Sequence, residues 1–127
     1  ELERCLVGSE MCIRDRYSAT KASIHALSRG LSQLTRGTGV TVNTVVPGST
    51  LSEGAKHFIA DKAAKEGSNP KIVETDFFRK ERTQSLLERF ASTDEVATTI
   101  AYLCSPLSSA TNGTVIKADG GSTGGVF

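Results

Sequence analysis

The sequence has 127 residues, with 15 basic and 14 acidic side chains and a net charge of +1. A chain of this length suits one domain, and a near-neutral charge without a basic cluster argues against a protein that binds nucleic acid or anionic lipid. No apolar run approaches the roughly 20 residues of a membrane-spanning helix. We therefore expect a cytoplasmic protein that acts on a small molecule, with no nucleic-acid or membrane partner.

The cysteine and histidine residues do not predict a metal site. The three cysteines, Cys5, Cys12 and Cys104, form no Cys-x-x-Cys pair, and their odd number fits no complete disulfide framework. His25 and His57 stand far apart, with no cysteine or histidine at ligand spacing beside them. We therefore assign no metal ligand in this sequence.

Apolar residues recur at helical spacing between Tyr17 and Arg36, namely Ile24, Leu27, Leu31 and Leu34. This pattern predicts a long amphipathic helix. Gly37 and Gly39 follow at once and supply the backbone conformations that end helices. The helix is therefore expected to stop at the sequence RGTGV.

The next segment, VTVNTVV at residues 40–46, is rich in β-branched residues and is bounded by Gly39 and by Pro47 and Gly48. Such a run predicts a buried strand. A helix followed by a short loop and a strand is typical of an α/β fold with a parallel sheet.

Residues 51–90 are charged overall but carry several large apolar side chains. Gly67, Asn69 and Pro70 interrupt the segment, so we predict two or three short helices. A helical excursion from the carboxyl end of a strand is where open α/β sheets place a cover over a ligand. Three aromatic residues could either line an apolar pocket or pack the helices of this cover: Phe58, Phe77 and Phe78.

The last third of the chain begins with STDEVATTIAYLCS, in which Ser92 or Thr93 is expected to cap a helix. The predicted buried stripe of this helix consists of Val96, Ile100 and Leu103. A turn at residues 112–113 and a strand at residues 114–118 then precede a glycine-rich tail.

Tyr17 and Lys21 are four residues apart and therefore project from one face of the first helix. A phenol is a weak acid at neutral pH, with an ordinary pKa of about 10, and a nearby cation stabilises its charged form. The pair could thus serve acid–base chemistry. The same spacing also occurs in ordinary amphipathic helices, so the pair alone does not identify a catalytic site.

The order of the motifs adds a family resemblance. YSATKAS is followed by VNTVVPG, then by STDEVATTIAYLCSP and finally by NGTVIKADGG. Over residues 17–121 this series resembles the C-terminal half of the short-chain dehydrogenase/reductase family. The resemblance implies a truncated, doubly wound parallel-sheet (Rossmann-like) domain. It also implies hydride transfer between NAD or NADP and a carbonyl or alcohol substrate, in a parent protein that forms a homodimer or homotetramer.

The resemblance assigns roles to particular positions. It makes Tyr17 the proton donor or acceptor for the substrate oxygen. It makes Lys21 the partner that holds the ribose hydroxyls of the cofactor and stabilises the phenolate. The residues after the strand would form the wall beside the nicotinamide. Pro47 and Gly48 would shape this wall, and Thr50 or Ser52 would bond the carboxamide. Residues 51–90 would be the substrate lid.

Two features of the family are missing from this sequence. No glycine-rich turn opens a helix after an N-terminal strand, and Arg4 stands where the family carries a catalytic serine. Residues 6–15, LVGSEMCIRD, resemble the translation of a transposase-type sequencing adapter. We therefore expect residues 1–16 to be non-native and residues 17–127 to be a partial family domain.

These observations leave three readings open. The first is a fragment of an NAD(P)-dependent oxidoreductase, inactive and poorly folded as an isolated chain because a sheet edge and a helix face lack their partners. The second is a noncatalytic oligomerisation or regulatory protein on the same scaffold. The third keeps the enzyme but changes its chemistry to epimerisation, dehydration or dehalogenation.

Overall fold

The structure, a computed structural model, describes the backbone of residues 9–124 and the side chains of residues 16–124. Its elements, in chain order, are as follows: α1 (Ser9–Leu34), β1 (Thr44–Pro47), α2 (Glu53–Glu66), α3 (Pro70–Lys80), α4 (Thr93–Leu103), a 3-10 turn (Pro106–Ser108) and β2 (Val115–Ala118). The two strands form one sheet. The N–H of Thr44 donates to the carbonyl of Thr114 and the N–H of Gly48 to that of Ala118, so the strands are parallel. The predicted α/β class is confirmed.

The described residues fall into two compact units. The first contains the chain up to Thr44 together with Ser109–Val115, and the second contains Val45–Ser108 and the chain from Ile116 onward. No described helix is both long and apolar enough to cross a membrane. Within the same residues no three His, Cys, Asp or Glu side chains cluster as metal ligands would.

In the first unit, α1 ends at Leu34 and Gly37 adopts the left-handed φ of 77°, so the predicted helix end is confirmed. The helix begins at Ser9 rather than Tyr17, because no strong breaker stands among the residues just before Tyr17. Residues 1–8, which include Arg4 and part of the adapter-like segment, lie outside the described residues. The apolar stripe of α1 is exposed at Ile24, Leu27, Leu31 and Leu34.

The predicted strand at residues 40–46 is only partly right. Regular strand geometry covers Thr44–Pro47, its residues are half-buried or exposed, and Val40 is 58% exposed. Before the strand, asparagine side chains bond the backbone in place of a neighbouring strand. The N–H of Val42 donates to Oδ1 of Asn112 at 2.9 Å, and Nδ2 of Asn43 donates to the carbonyl of Thr111 at 2.8 Å. Among the described residues β1 has one neighbouring strand, β2, and this contact alone does not bury its side chains.

In the second unit, two or three short helices are predicted between residues 51 and 90, and two are present, α2 and α3. Ser52 caps α2 by accepting from the N–H of Ala55, and Gly67 ends it with a left-handed φ of 59°. Asn69 caps α3 and Pro70 is its first residue, so the predicted interruption at Gly67, Asn69 and Pro70 is confirmed. The two helices and the segment after them enclose the core of this unit: Ile59, Ala63, Val73, Phe78 and Phe90.

The helix α4 begins as predicted but is not buried. Ser92 and Glu95 form a reciprocal capping box, with Ser92 Oγ accepting from Glu95 N–H at 3.1 Å and Glu95 Oε2 accepting from Ser92 N–H at 2.7 Å. No residue of α4 is buried, and Ile100 is 47% exposed. The predicted buried stripe of Val96, Ile100 and Leu103 is therefore wrong for this chain. The helix packs mainly on the short turn at Pro106–Ser108, and no described element covers the stripe.

Candidate active site

The pair Tyr17 and Lys21 lies on α1, one helical turn apart. Nζ of Lys21 is 5.4 Å from the centre of the Tyr17 ring, within the range of a cation–π contact. Tyr17 is 64% exposed and Lys21 is exposed as well. The helix thus brings the two predicted groups together and leaves the phenol hydroxyl and the ammonium accessible to a ligand.

The residues around this pair keep its face of the helix open. Thr20 and Ser23 turn their hydroxyls back onto the helix backbone, to the carbonyls of Arg16 at 2.8 Å and Ala19 at 2.9 Å. Such bonds satisfy the hydroxyls locally. Tyr17 and Lys21 remain exposed on this part of α1, beside the exposed Arg16.

The predicted nicotinamide wall follows β1 in the second unit. Ser52 donates its N–H to the carbonyl of Thr50 at 2.8 Å, and Thr50 Oγ1 donates to the carbonyl of Gly48 at 3.1 Å. The Ser52 side chain caps α2. A Cβ on Gly48 would lie 2.6 Å from Cα of Asp119, so only glycine allows this close approach of two backbones.

A short parallel bridge closes the predicted lid. Leu51 N–H donates to the Ala91 carbonyl at 2.8 Å, and Ala91 N–H donates to the Ser49 carbonyl at 2.9 Å. The first and last residues of the segment 51–90 therefore lie next to each other. This geometry holds both ends of the segment beside the loop that follows β1.

The aromatic residues of this segment separate into two groups. Phe77, Phe78 and Phe90 form a packed cluster with ring centres 5.0–5.2 Å apart, which favours the packing alternative for Phe77 and Phe78. Phe58 is 50% exposed and lies outside the cluster. An open cleft of about 380 Å³ between α2 and α3 has a partly apolar lining of Leu51, Ile59, Ala60, Pro70, Lys56, Lys71 and Glu74.

Asp119, which the sequence analysis did not single out, organises the turn after β2. Its carboxylate accepts the Thr123 hydroxyl at 2.6 Å, the Thr123 N–H at 3.0 Å and the Gly121 N–H at 3.0 Å. The bond from the Thr123 hydroxyl is the main reason that the pKa of Asp119 is lowered, and burial opposes it. An aspartate before two glycines and a threonine is typical of such a side-chain turn, so this signal was present in the sequence.

Arg89 is a second residue that the sequence analysis missed. Its guanidinium forms two bonds with the Glu95 carboxylate at 2.9 and 2.8 Å and donates to the carbonyl of Phe90. The bonds from Arg89 to the carboxylate, together with the bond from the Ser92 N–H, lower the pKa of Glu95 to about 2. The pair ties the end of the predicted lid to the first turn of α4.

Comparison with known proteins decides the family. A family model described as enoyl-(acyl carrier protein) reductase matches residues 7–123. The chain belongs to the short-chain dehydrogenase/reductase family. The oxidoreductase YvaG of Bacillus subtilis (strain 168), which its name describes as uncharacterized, is 42% identical over 111 residues. That alignment covers 87% of this chain and 42% of YvaG.

Other relatives agree with this short-chain dehydrogenase/reductase assignment. The chloroplastic NADPH-dependent aldehyde reductase 2 of Arabidopsis thaliana is 32% identical over 105 residues, covering 83% of this chain and 34% of the reductase. The NADPH-bound short chain oxidoreductase of Pseudomonas aeruginosa PAO1 superposes with a TM-score of 0.68 at 29% identity, covering 86% of this chain and 39% of that protein. The L-sorbose reductase of Gluconobacter frateurii has the same fold, with a TM-score of 0.75 at 24% identity and coverage of 87% and 41%.

The chain spans about 40% of the length of curated relatives such as YvaG. Within this short-chain dehydrogenase/reductase segment, the predicted site residues belong to two units. Tyr17 and Lys21 lie in the first unit, and the wall residues lie in the second: Pro47, Gly48, Thr50 and Ser52. Each group is assembled within its own unit as described above.

Proposed function

We propose that the complete protein carrying this chain is an NAD(P)-dependent oxidoreductase that transfers a hydride between a nicotinamide cofactor and a carbonyl or alcohol substrate. One observation carries the proposal: Tyr17 and Lys21, the expected acid–base pair of the family, lie together on an open face of α1 with the ammonium 5.4 Å from the ring centre. An NADPH-dependent aldehyde reductase and an NADPH-bound oxidoreductase among the relatives support a nicotinamide cofactor.

The two side chains divide the proton chemistry between them. In reduction, the Tyr17 hydroxyl donates its proton to the carbonyl oxygen while the carbonyl carbon accepts a hydride, and the Lys21 ammonium stabilises the phenolate that remains. In oxidation, the phenolate takes the proton of the alcohol and the carbon gives up the hydride. The nicotinamide, when bound, supplies or accepts that hydride.

The residues present fit the sugar of such a cofactor. An ammonium group offers three N–H donors, and the lysines that form ion pairs within the described chain are Lys56, Lys62 and Lys80. The donors of Lys21 are therefore available to ribose hydroxyls. At the expected nicotinamide wall, the backbone of Gly48 is held against that of Asp119.

The same proposal covers the substrate lid and the oligomeric assembly of the complete protein. Residues 51–90 act as the substrate lid, a role supported by the bridge that joins its two ends. The complete protein is cytoplasmic and forms a homodimer or homotetramer, with the exposed apolar stripe of α1 available for burial. Residues 1–16 lie outside the native domain, and the isolated chain is inactive because its sequence lacks a glycine-rich turn for the pyrophosphate.

The experiment compares two tyrosine variants of the complete protein. Tyr17→Phe removes the proposed proton donor, whereas Tyr102→Phe makes the same change at a partly exposed position of α4. NADPH or NADH oxidation is followed with a panel of aldehydes and ketones. We expect Tyr17→Phe to lower kcat by about 100-fold to 10,000-fold and Tyr102→Phe to leave it unchanged. Equal activity of both variants would overturn Tyr17 as the proton donor, and a complete protein without activity on any substrate of the panel would favour the noncatalytic protein instead.

A further inference from the structure

The turn that follows β2 is closed by Asp119, whose backbone carbonyl accepts the N–H and the hydroxyl of Ser122 and whose carboxylate accepts three further bonds. Asp119 is 9% exposed, and its two oxygens accept the N–H of Gly121, the N–H of Thr123 and the hydroxyl of Thr123. Hydrogen bonds to an ionised acceptor are stronger than those between neutral groups. The turn at residues 119–123 is therefore a rigid element rather than a loose tail.

One side of this turn touches the predicted nicotinamide wall. The Gly48 N–H donates to the Ala118 carbonyl at 3.1 Å. A Cβ built on Gly48 would lie 2.6 Å from both Cα and the carbonyl oxygen of Asp119. The two backbones are thus in direct contact, and a displacement of Asp119 must displace Gly48.

The opposite side of the turn touches the end of the lid. The Leu87 N–H donates to the Gly120 carbonyl at 3.0 Å. Gly120 and Gly121 have left-handed φ values of 62° and 74°. Side chains there would clash with Leu87 Cβ at 2.8 Å and with Leu86 Cδ1 at 2.7 Å. The left-handed conformation therefore favours glycine at both positions, and at Gly120 the contact with Leu87 Cβ adds to that preference.

We propose that the turn at residues 119–123, closed by Asp119 and Thr123, is a positioning element that holds the Gly48 wall and the Leu86–Leu87 end of the lid in one register. Asp119 touches no reacting atom in this account and acts through the two segments that it supports. The part that concerns catalysis rests on the proposed function. A register error of about 1 Å beside the reacting atoms can cost about 100-fold in rate, so the turn would act on kcat more than on cofactor binding.

The test uses Thr123→Val in the complete protein, because this variant keeps the side-chain shape and removes one bond to Asp119. Thr123→Ser restores the hydroxyl, and Asp119→Ala removes all three bonds. Thr98→Val is the matched control, since the Thr98 hydroxyl bonds only within α4, to the carbonyl of Asp94. Amide hydrogen exchange is measured at Gly48 and Leu87, together with kcat and the KM for NADPH.

We expect Thr123→Val to speed exchange at both Gly48 and Leu87 and to lower kcat about tenfold with less than a threefold change in KM. Thr123→Ser should restore both readings, and Thr98→Val should change neither. Unchanged exchange at either amide would overturn the link between the two segments. Faster exchange with unchanged kcat in an active enzyme would overturn the effect on catalysis. A complete protein without activity would refute the proposed function, while exchange alone would still decide the link.

Discussion

Replacing Gly48 by alanine tests the close approach of its backbone to that of Asp119. The added Cβ would meet three backbone atoms of Asp119 at 2.6–2.8 Å, well inside the 3.4–4 Å of ordinary contact. Because backbone atoms cannot rotate away as a flexible side chain can, one of the two segments must shift. Forced overpacking of this kind costs about 1–3 kcal/mol. Weakening the bond from Gly48 N–H to Ala118 would add about 0.5–1.5 kcal/mol.

We therefore expect Gly48→Ala to lower the free energy of unfolding of the complete protein by about 1.5–4.5 kcal/mol. The measurement is urea denaturation followed by circular dichroism, with the change read from the midpoint at constant slope. Gly54→Ala is the matched control. Gly54 lies in the first turn of α2, and its nearest non-neighbouring atom is Ser52 Oγ at 3.9 Å.

Alanine is the better helix former, so Gly54→Ala should raise stability by up to about 1 kcal/mol. A Gly48→Ala protein with a stability within about 0.5 kcal/mol of the parent would refute the reasoning. It would mean that the strand end and the turn after β2 are farther apart than the structure places them.

Three further predictions concern α4 and the chain by itself. The pKa of Glu95 is lowered from 4.5 to about 2 by Arg89 and Ser92. Its contribution to stability is therefore complete above about pH 4.5 and is lost as the pH falls towards 2. In an acid titration of stability, the Glu95→Gln variant should lack this loss, whereas the Asp94→Asn variant should retain it. Ser92→Ala should cost about 1 kcal/mol in urea denaturation, because it removes the helix cap; no change would contradict the cap. The isolated chain should show no heat of binding with NADH or NADPH in titration calorimetry and no cooperative thermal transition, and a sharp melting curve or measurable binding would contradict this.

Local signals explain what the sequence predicted correctly. The end of α1 at Gly37, the capping box at Ser92 and Glu95, and the break between α2 and α3 each depend on residues within one or two helical turns. The parallel pairing of β1 with β2 followed from the order of helix, loop and strand. Tyr17 and Lys21 lie together because four residues make about one turn of a helix.

Contacts between distant segments explain what it could not predict. The burial of Val96, Ile100 and Leu103 depends on elements that would cover α4, and periodicity indicates only that a face is apolar. The contact between Gly48 and Asp119 joins residues that are far apart in the chain. Arg89 and Glu95 are only six residues apart, but their pairing depends on the non-helical path of the chain between Arg89 and the start of α4. None of these distances is encoded in a local pattern.

The most direct test of the account is a long sequencing read of the source DNA across the codons for Arg16 and Tyr17. We predict that the coding sequence upstream of Tyr17 replaces residues 6–15 with a family half that contains a glycine-rich turn after a strand and a serine shortly before the tyrosine. A source sequence that encodes residues 1–16 as printed would contradict the account, because Arg4 would then stand where the family carries its catalytic serine.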